Sequence, residues 1–195
     1  ALGSVLLAMS QNIVEVEKRY DNISDCKLQD DDDEEECSID ITIPADMKKP
    51  VFLYYKLDNF YQNHRRYVKS RDYEQLAGNK RTESDVSSNC DPIVINKDIS
   101  NPLRSYDNST ELDPDDVANP CGLVAKSIFT DSYKATLDGT PLDLDDSDIA
   151  WESDQNDKFK NGKNPEENQW ADVEDPHFIV WMRTAGLPNF RKLWA

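Results

Sequence analysis

The chain lacks most of the residue patterns that carry enzyme chemistry. Its 195 residues contain only two histidines, His64 and His177, and six glycines. No HExxH, GxSxG, GxGxxG or GxxxxGK[ST] pattern occurs, so zinc hydrolysis, acyl transfer, dinucleotide binding and P-loop phosphoryl transfer have no recognisable machinery. His64 belongs to an aromatic stripe, where it reads as a packing residue and not as a base, because no nucleophile or orienting acid is placed beside it. No CxxC pair is present, and the cysteines have no histidine partners at zinc-finger spacing. No apolar run is long enough to cross a bilayer. Positive charge is scarce: 22 Lys and Arg face 39 Asp and Glu, a formal net charge of −17. Such a field repels phosphate backbones, and isolated cations reverse it only within about 10 Å, which argues against a nucleic-acid partner. Acidic residues are so numerous that any carboxylate pair is uninformative about glycoside cleavage. No catalytic residue, cofactor or metal ligand is assigned.

What is present reads as one folded domain with acidic loops. Four cysteines, Cys26, Cys37, Cys90 and Cys121, permit three pairings. Cys26–Cys37 with Cys90–Cys121 closes two short loops and is the pairing favoured here, which places the chain in an oxidising space. The sequons at Asn22 and Asn108 agree with a lumenal or extracellular location, although roughly 1.7 such triplets arise by chance in this composition. The opening ALGSVLLAM is apolar, but as a helix it reaches about 13 Å of a roughly 30 Å hydrocarbon core. It reads as the outer end of a membrane helix over residues 1–9, ahead of a single ectodomain over 10–195, in preference to a signal peptide. Alternation predicts strands in NIVEVEKRYD and SIDITIP, and the β-branched and aromatic run Val51–Tyr55 predicts a strand buried on both faces. The acidic run Asp30–Glu36 reads as a solvated tip; its spacing does not match a calcium loop.

NFYQNHRRYVKSR, residues 59–71, gathers Arg65, Arg66, Lys69 and Arg71 beside Phe60, Tyr61 and Tyr67. Leu57, Phe60, Tyr61, His64 and Val68 fall on one helical stripe, predicting a helix capped by Asp58 and closed by Gly78. Residues 79–120 read as irregular loop around Ile93–Ile95, Asp138-Gly139 as a hairpin turn, and HFIVWMRTAGLP as another continuous strand. The predicted class is α+β, mainly β: an antiparallel, sandwich-like sheet with short helices and long loops, braced by disulfides.

Four ordered blocks carry a resemblance: KPVFLYYKLDNFYQNHRRYVKSRDYEQLAG at 49–78, NPCGLVAKSIFTDSY at 119–133, IAWESDQNDKFKN at 149–161 and FIVWMRTAGLPNFRKLW at 178–194. They resemble the accessory, or beta, subunits of phospholipid flippases, the Cdc/Lem-type partners of type IV P-type ATPases. The resemblance implies a membrane-bound, non-catalytic subunit whose disulfide-linked, N-glycosylated ectodomain covers the exoplasmic loops of the ATPase. It implies a role in folding of the complex, exit from the endoplasmic reticulum and aminophospholipid transport. Its compartment would be Golgi, endosome, plasma membrane or endoplasmic reticulum, with membrane lipids nearby. The family's cysteines correspond to Cys26, Cys37, Cys90 and Cys121, supporting the pairing above. The resemblance also implies that further strands and a second membrane helix follow the FRKLW block in a longer protein. Within it, Tyr61, Arg65, Arg66, Lys69 and Arg71 serve either as internal counter-charge or as contacts to the partner. The rival reading is a secreted glycan-binding or glycan-active β-domain.

Overall fold

A computed structural model describes residues 2–10, 13–27 and 36–195. The chain divides into two compact units, Ala1–Val51 and Phe52–Ala195. In the first, α1 (Leu2–Ser10) exposes its described side chains, and no helix among the described residues is long and apolar enough to cross a membrane. The extended chain that follows keeps the expected alternation, with Val14 and Val16 half-buried and Glu15 and Glu17 exposed. It is assigned to no strand among the described residues, however. Neither residues 13–20 nor residues 38–44 join a ladder, correcting the expectation of two strands; alternation prepares one face of a strand, but a neighbouring backbone must complete it. Residues 11 and 12, and residues 30–35 of the acidic run, lie outside the described residues. Cys26 is bonded to Cys37 with Cα atoms 5.2 Å apart.

The second unit is closed by pairing its two ends. β1 (Tyr54–Leu57) runs antiparallel to β6 (Phe190–Leu193), with Tyr55 opposite Lys192. Only Tyr55 of the Val51–Tyr55 run is buried, while Val51, Phe52 and Tyr54 are exposed, because a two-stranded ladder covers one face at most. Under that ladder lies α8 (Pro176–Met182), where a strand was expected. Asp175 accepts a hydrogen bond from the His177 backbone N–H at 2.8 Å and Pro176 occupies the first turn, a start signal for a helix. Phe178, Ile179, Trp181 and Met182 are then buried together, the i, i+1, i+3, i+4 face of a helix. Its end is capped by a cation: Lys192 Nζ donates to the carbonyls of Val180, Trp181 and Arg183 at 2.8, 2.8 and 2.6 Å. Burial, with the nearby Arg71 charge second, pushes Lys192 down to about 7.

Residues 79–120 are not irregular loop. α4 (Glu83–Cys90) opens with a Thr82/Asp85 capping box and buries Val86 and Cys90 against Ala118 and Cys121, a second small core joined by the Cys90–Cys121 disulfide. Beyond it β2 (Leu103–Arg104) pairs with β3 (Glu111–Leu112). The expected single helix over 57–78 is instead two short ones, α2 (Arg65–Lys69) and α3 (Tyr73–Leu76), interrupted at Ser70. His64, expected in the packed stripe, is exposed at the start of α2. α5 (Leu123–Lys126) buries Val124 and Ala125 in the main core. The hairpin β4 (Ala135–Leu137) and β5 (Thr140–Leu142) turns at Asp138 and Gly139, φ 49° and 80°, the left-handed pair of a type I′ turn. α6 (Glu152–Asp157) and α7 (Pro165–Asn168) complete the unit. The class is α+β with antiparallel pairing and two disulfides. Among the described residues the strands form three separate two-stranded ladders, and helices carry more of the chain than the mainly-β expectation held.

His177 ties α8 to the end of β6. Its Nδ1 lies 3.3 Å from Asp175 Oδ1, its Nε2 3.0 Å from the Trp194 carbonyl, and its ring 3.9 Å from the Trp194 ring. The Asp175 carboxylate raises the imidazole pKa against the opposing effect of burial. A raised folded-state pKa contributes stability that is complete below the unfolded value of about 6.5 and is lost as pH climbs through the folded value. The gap in unfolding midpoint between the wild type and His177→Gln is therefore expected to be wide at about pH 5.5 and narrower at about pH 8.5. A gap independent of pH in chemical denaturation would contradict this assignment.

Candidate partner-binding surface

The basic segment is built as an inward half and an outward half. After β1, Asn59 takes φ 60° and its N–H donates to Asn189 Oδ1 at 2.9 Å. Phe60 then drops into the core, edge-on to Tyr67, Trp181 and Phe190. Gln62 is fully buried, its Oε1 accepting from the Ala185 N–H at 2.8 Å. Between these anchors Tyr61 is left 57% exposed. His64 begins α2, and within that single turn and a half Arg65, Arg66 and Lys69 all face solvent.

Ser70 is the point where the helix has to break. Its Oγ lies 3.0 Å from both the Cys90 and Asp91 carbonyls and accepts from the Leu123 N–H at 2.8 Å, joining α2, α4 and α5 at one hydroxyl. The Ser70 backbone is pressed against Gly122, where a Cβ would stand 2.1 Å from the Ser70 carbonyl oxygen. Arg71 turns inward from there: its N–H donates to the Asn89 carbonyl at 3.0 Å and its Nη1 to the Met182 carbonyl at 2.6 Å. Asp72 is buried, caps α3 through the Gln75 N–H at 2.8 Å, and pairs with Arg81 at 3.3 Å.

The five contact candidates are thus brought to one end of the unit but not to one role. Tyr61, Arg65, Arg66 and Lys69 are exposed, whereas Arg71 is half-buried and bonded to α8. Arg65, Arg66 and Lys69 make no ion pair with any described residue, while Arg81, Lys97, Lys158, Lys160 and Arg183 all do. Among the described residues the outward half is therefore not neutralised from within. Tyr73, Ser88 and Asn89, which border the same face, carried no signal in the sequence, because their proximity depends on α4 folding back beside α2. The sequons lie on exposed turns, Asn22 in the first unit and Asn108 in the β2–β3 connection with φ 60°. No group of three or more His, Cys, Asp or Glu that could hold a metal occurs among the described residues.

Residues 6–195 match the model of the LEM3 (ligand-effect modulator 3) / CDC50 family. The chain is 36% identical over 222 residues to ALA-interacting subunit 3 of Arabidopsis thaliana, which covers 100% of this chain and 56% of that protein. It is 35% identical over 227 residues to cell cycle control protein 50A of Bos taurus, covering 99% and 58%. It is also 35% identical over 179 residues to the phospholipid-transporting ATPase accessory subunit CRF1 of Saccharomyces cerevisiae, covering 80% and 41%. The chain thus spans between two fifths and three fifths of the length of these relatives. By the extent of the family match and of these identities, the chain belongs to the LEM3/CDC50 family.

Proposed function

We propose that this chain is part of a non-catalytic accessory subunit of a phospholipid-translocating type IV P-type ATPase. The observation that carries the reading is the family match over residues 6–195, together with relatives named as accessory or ALA-interacting subunits. On this reading the subunit supports folding of the complex, its exit from the endoplasmic reticulum and its aminophospholipid transport. α1 continues a membrane helix, and the rest is a lumenal or extracellular ectodomain carrying glycans at Asn22 and Asn108. Tyr61, Arg65, Arg66 and Lys69 form the outward contact face, with Arg71 at its inner edge. An aromatic beside several cations that have no ion-pair partner among the described residues is the residue make-up of an interface anchor.

Co-purification of the full-length protein with a type IV ATPase tests this. The triple variant Arg65→Glu, Arg66→Glu, Lys69→Glu is expected to lower the recovered ATPase by about tenfold or more. Its own unfolding midpoint should barely move, since exposed charges contribute little to folding. A protein that never associates with such an ATPase, or whose deletion leaves aminophospholipid asymmetry intact, refutes the subunit reading.

A further inference from the structure

Lys69 faces open solvent on one side and a cleft on the other. That cleft, of about 510 Å3, is walled by Val68 and Lys69 of α2, by Arg71 and Tyr73 across the Ser70 break, and by Ser88 and Asn89 at the end of α4. The Arg71 N–H to Asn89 carbonyl bond, 3.0 Å, sets the spacing of the two sides, and the Arg71 guanidinium lies 5.0 Å over the Tyr73 ring. The wall offers donors and no carboxylate. Lys69 makes no ion pair with any described residue, Asn89 Nδ2 spends one hydrogen on Asp72 Oδ2 at 3.2 Å and keeps the other, and the Ser88 hydroxyl has only a long 3.5 Å bond to Asn89 Oδ1 to give up to a ligand. In a protein of net charge −17, this is a positive recess with an aromatic side.

We infer that this cleft receives a carboxylate side chain from an acidic peptide segment of a partner chain. Three features select that ligand. The donors are side chains spread over two elements, without the convergent backbone N–H groups that define phosphate cradles. Val68 and the Tyr73 ring give apolar contact to the methylenes of an Asp or Glu and to its backbone, as interface pockets do. The volume suits a few side chains, within the roughly 300–1,000 Å3 of small-ligand clefts. Like charge elsewhere on the chain opposes an acidic visitor only weakly at this range, since salt screens it beyond about 10 Å. The inference rests on the subunit reading for the existence of a partner, but the cleft can be tested without one.

The probe is a fluorescein-labelled glutamate–serine peptide, titrated at about 0.1 M ionic strength, where the field of the remaining acidic residues is screened, against the full chain by fluorescence polarisation, with a glutamine–serine peptide of equal length as its neutral counterpart. The acidic peptide is expected to bind and the neutral one not to. Lys69→Glu, and Ser88→Phe, which fills the cleft without altering charge, should each weaken binding by about tenfold or more. Lys163→Glu, which makes the same charge change at another exposed position, should leave it unchanged. Equal binding of the neutral peptide, or indifference to both cleft variants, overturns the inference. Displacement by inorganic phosphate or by phosphatidylserine vesicles at concentrations matching the peptide's own affinity also overturns it, in favour of a phosphate ligand. An acidic peptide that fails to bind while the ATPase still co-purifies removes the cleft and leaves the subunit reading; binding by a chain that never meets an ATPase does the reverse.

Discussion

Gly122→Ala is expected to destabilise the second unit by more than about 4 kcal/mol. Gly122 precedes α5 with φ 98° and ψ 162°, a backbone region almost closed to residues with a Cβ, which costs about 1–3 kcal/mol. The added methyl would also stand 2.1 Å from the Ser70 carbonyl oxygen, 2.6 Å from its carbon and 3.0 Å from the Arg71 Cα. All three are backbone atoms, so no side chain can swing aside. Neither can the Ser70 segment retreat, because its hydroxyl bonds α4 and α5 together. Strain and overlap together should exceed about 4 kcal/mol, a large part of the roughly 5–15 kcal/mol that stabilises an ordinary domain. Gly139→Ala is the contrasting control. It shares a positive φ of 80° but has no heavy atom within 4 Å of a built Cβ, and should cost about 1 kcal/mol. Urea unfolding of both variants with disulfides intact decides the matter; a Gly122→Ala protein within about 1 kcal/mol of wild type would show that the contact yields easily.

Trp181→Ala is the second large effect, with an expected loss of about 3–5 kcal/mol. Trp181 is 1% exposed at the centre of the main core, edge-on to Phe60 at 5.6 Å and beneath Lys192 Nζ at 5.3 Å. Its Nε1 donates to the Val124 carbonyl at 2.7 Å, so truncation leaves both a cavity and an unpaired buried acceptor. Trp181→Phe keeps most of the volume and loses mainly the hydrogen bond, so about 1–2 kcal/mol is expected. If the two variants unfold alike, packing volume is not the dominant contribution at this position.

Trp181 also shows where reading the chain from its residues fails. HFIVWM is apolar throughout, and over so short a run periodicity does not separate a buried strand from a buried helix. The deciding signal was Asp175-Pro176 just ahead of it, a cap followed by a proline in the first turn. α4 is hard to read for the opposite reason: of its eight residues only Val86 and Cys90 are buried, too few to give a stripe, although Thr82 and Asp85 form the capping box. The split between α2 and α3 has a local part, the Asp72 cap that starts α3, and a distant one. Leu57 through Val68 keep helical spacing, but the Ser70 backbone is claimed by Gly122, some fifty residues away.

By itself the sequence determined the features whose causes lie within a few neighbouring residues or in total composition. The Asp138-Gly139 turn follows from the left-handed freedom of those two residue types. The acidic excess, the absence of catalytic motifs and the ordered family blocks are likewise properties of the chain as written. Only the tertiary structure decided which cations of residues 59–71 are spent inside the protein and which remain available. Arg71 is drawn inward by the Met182 carbonyl, 111 positions along the chain, whereas Lys69, two residues earlier, meets no described counter-charge. Side chains adjacent in sequence point to different surroundings, and those surroundings exist only after distant segments have packed.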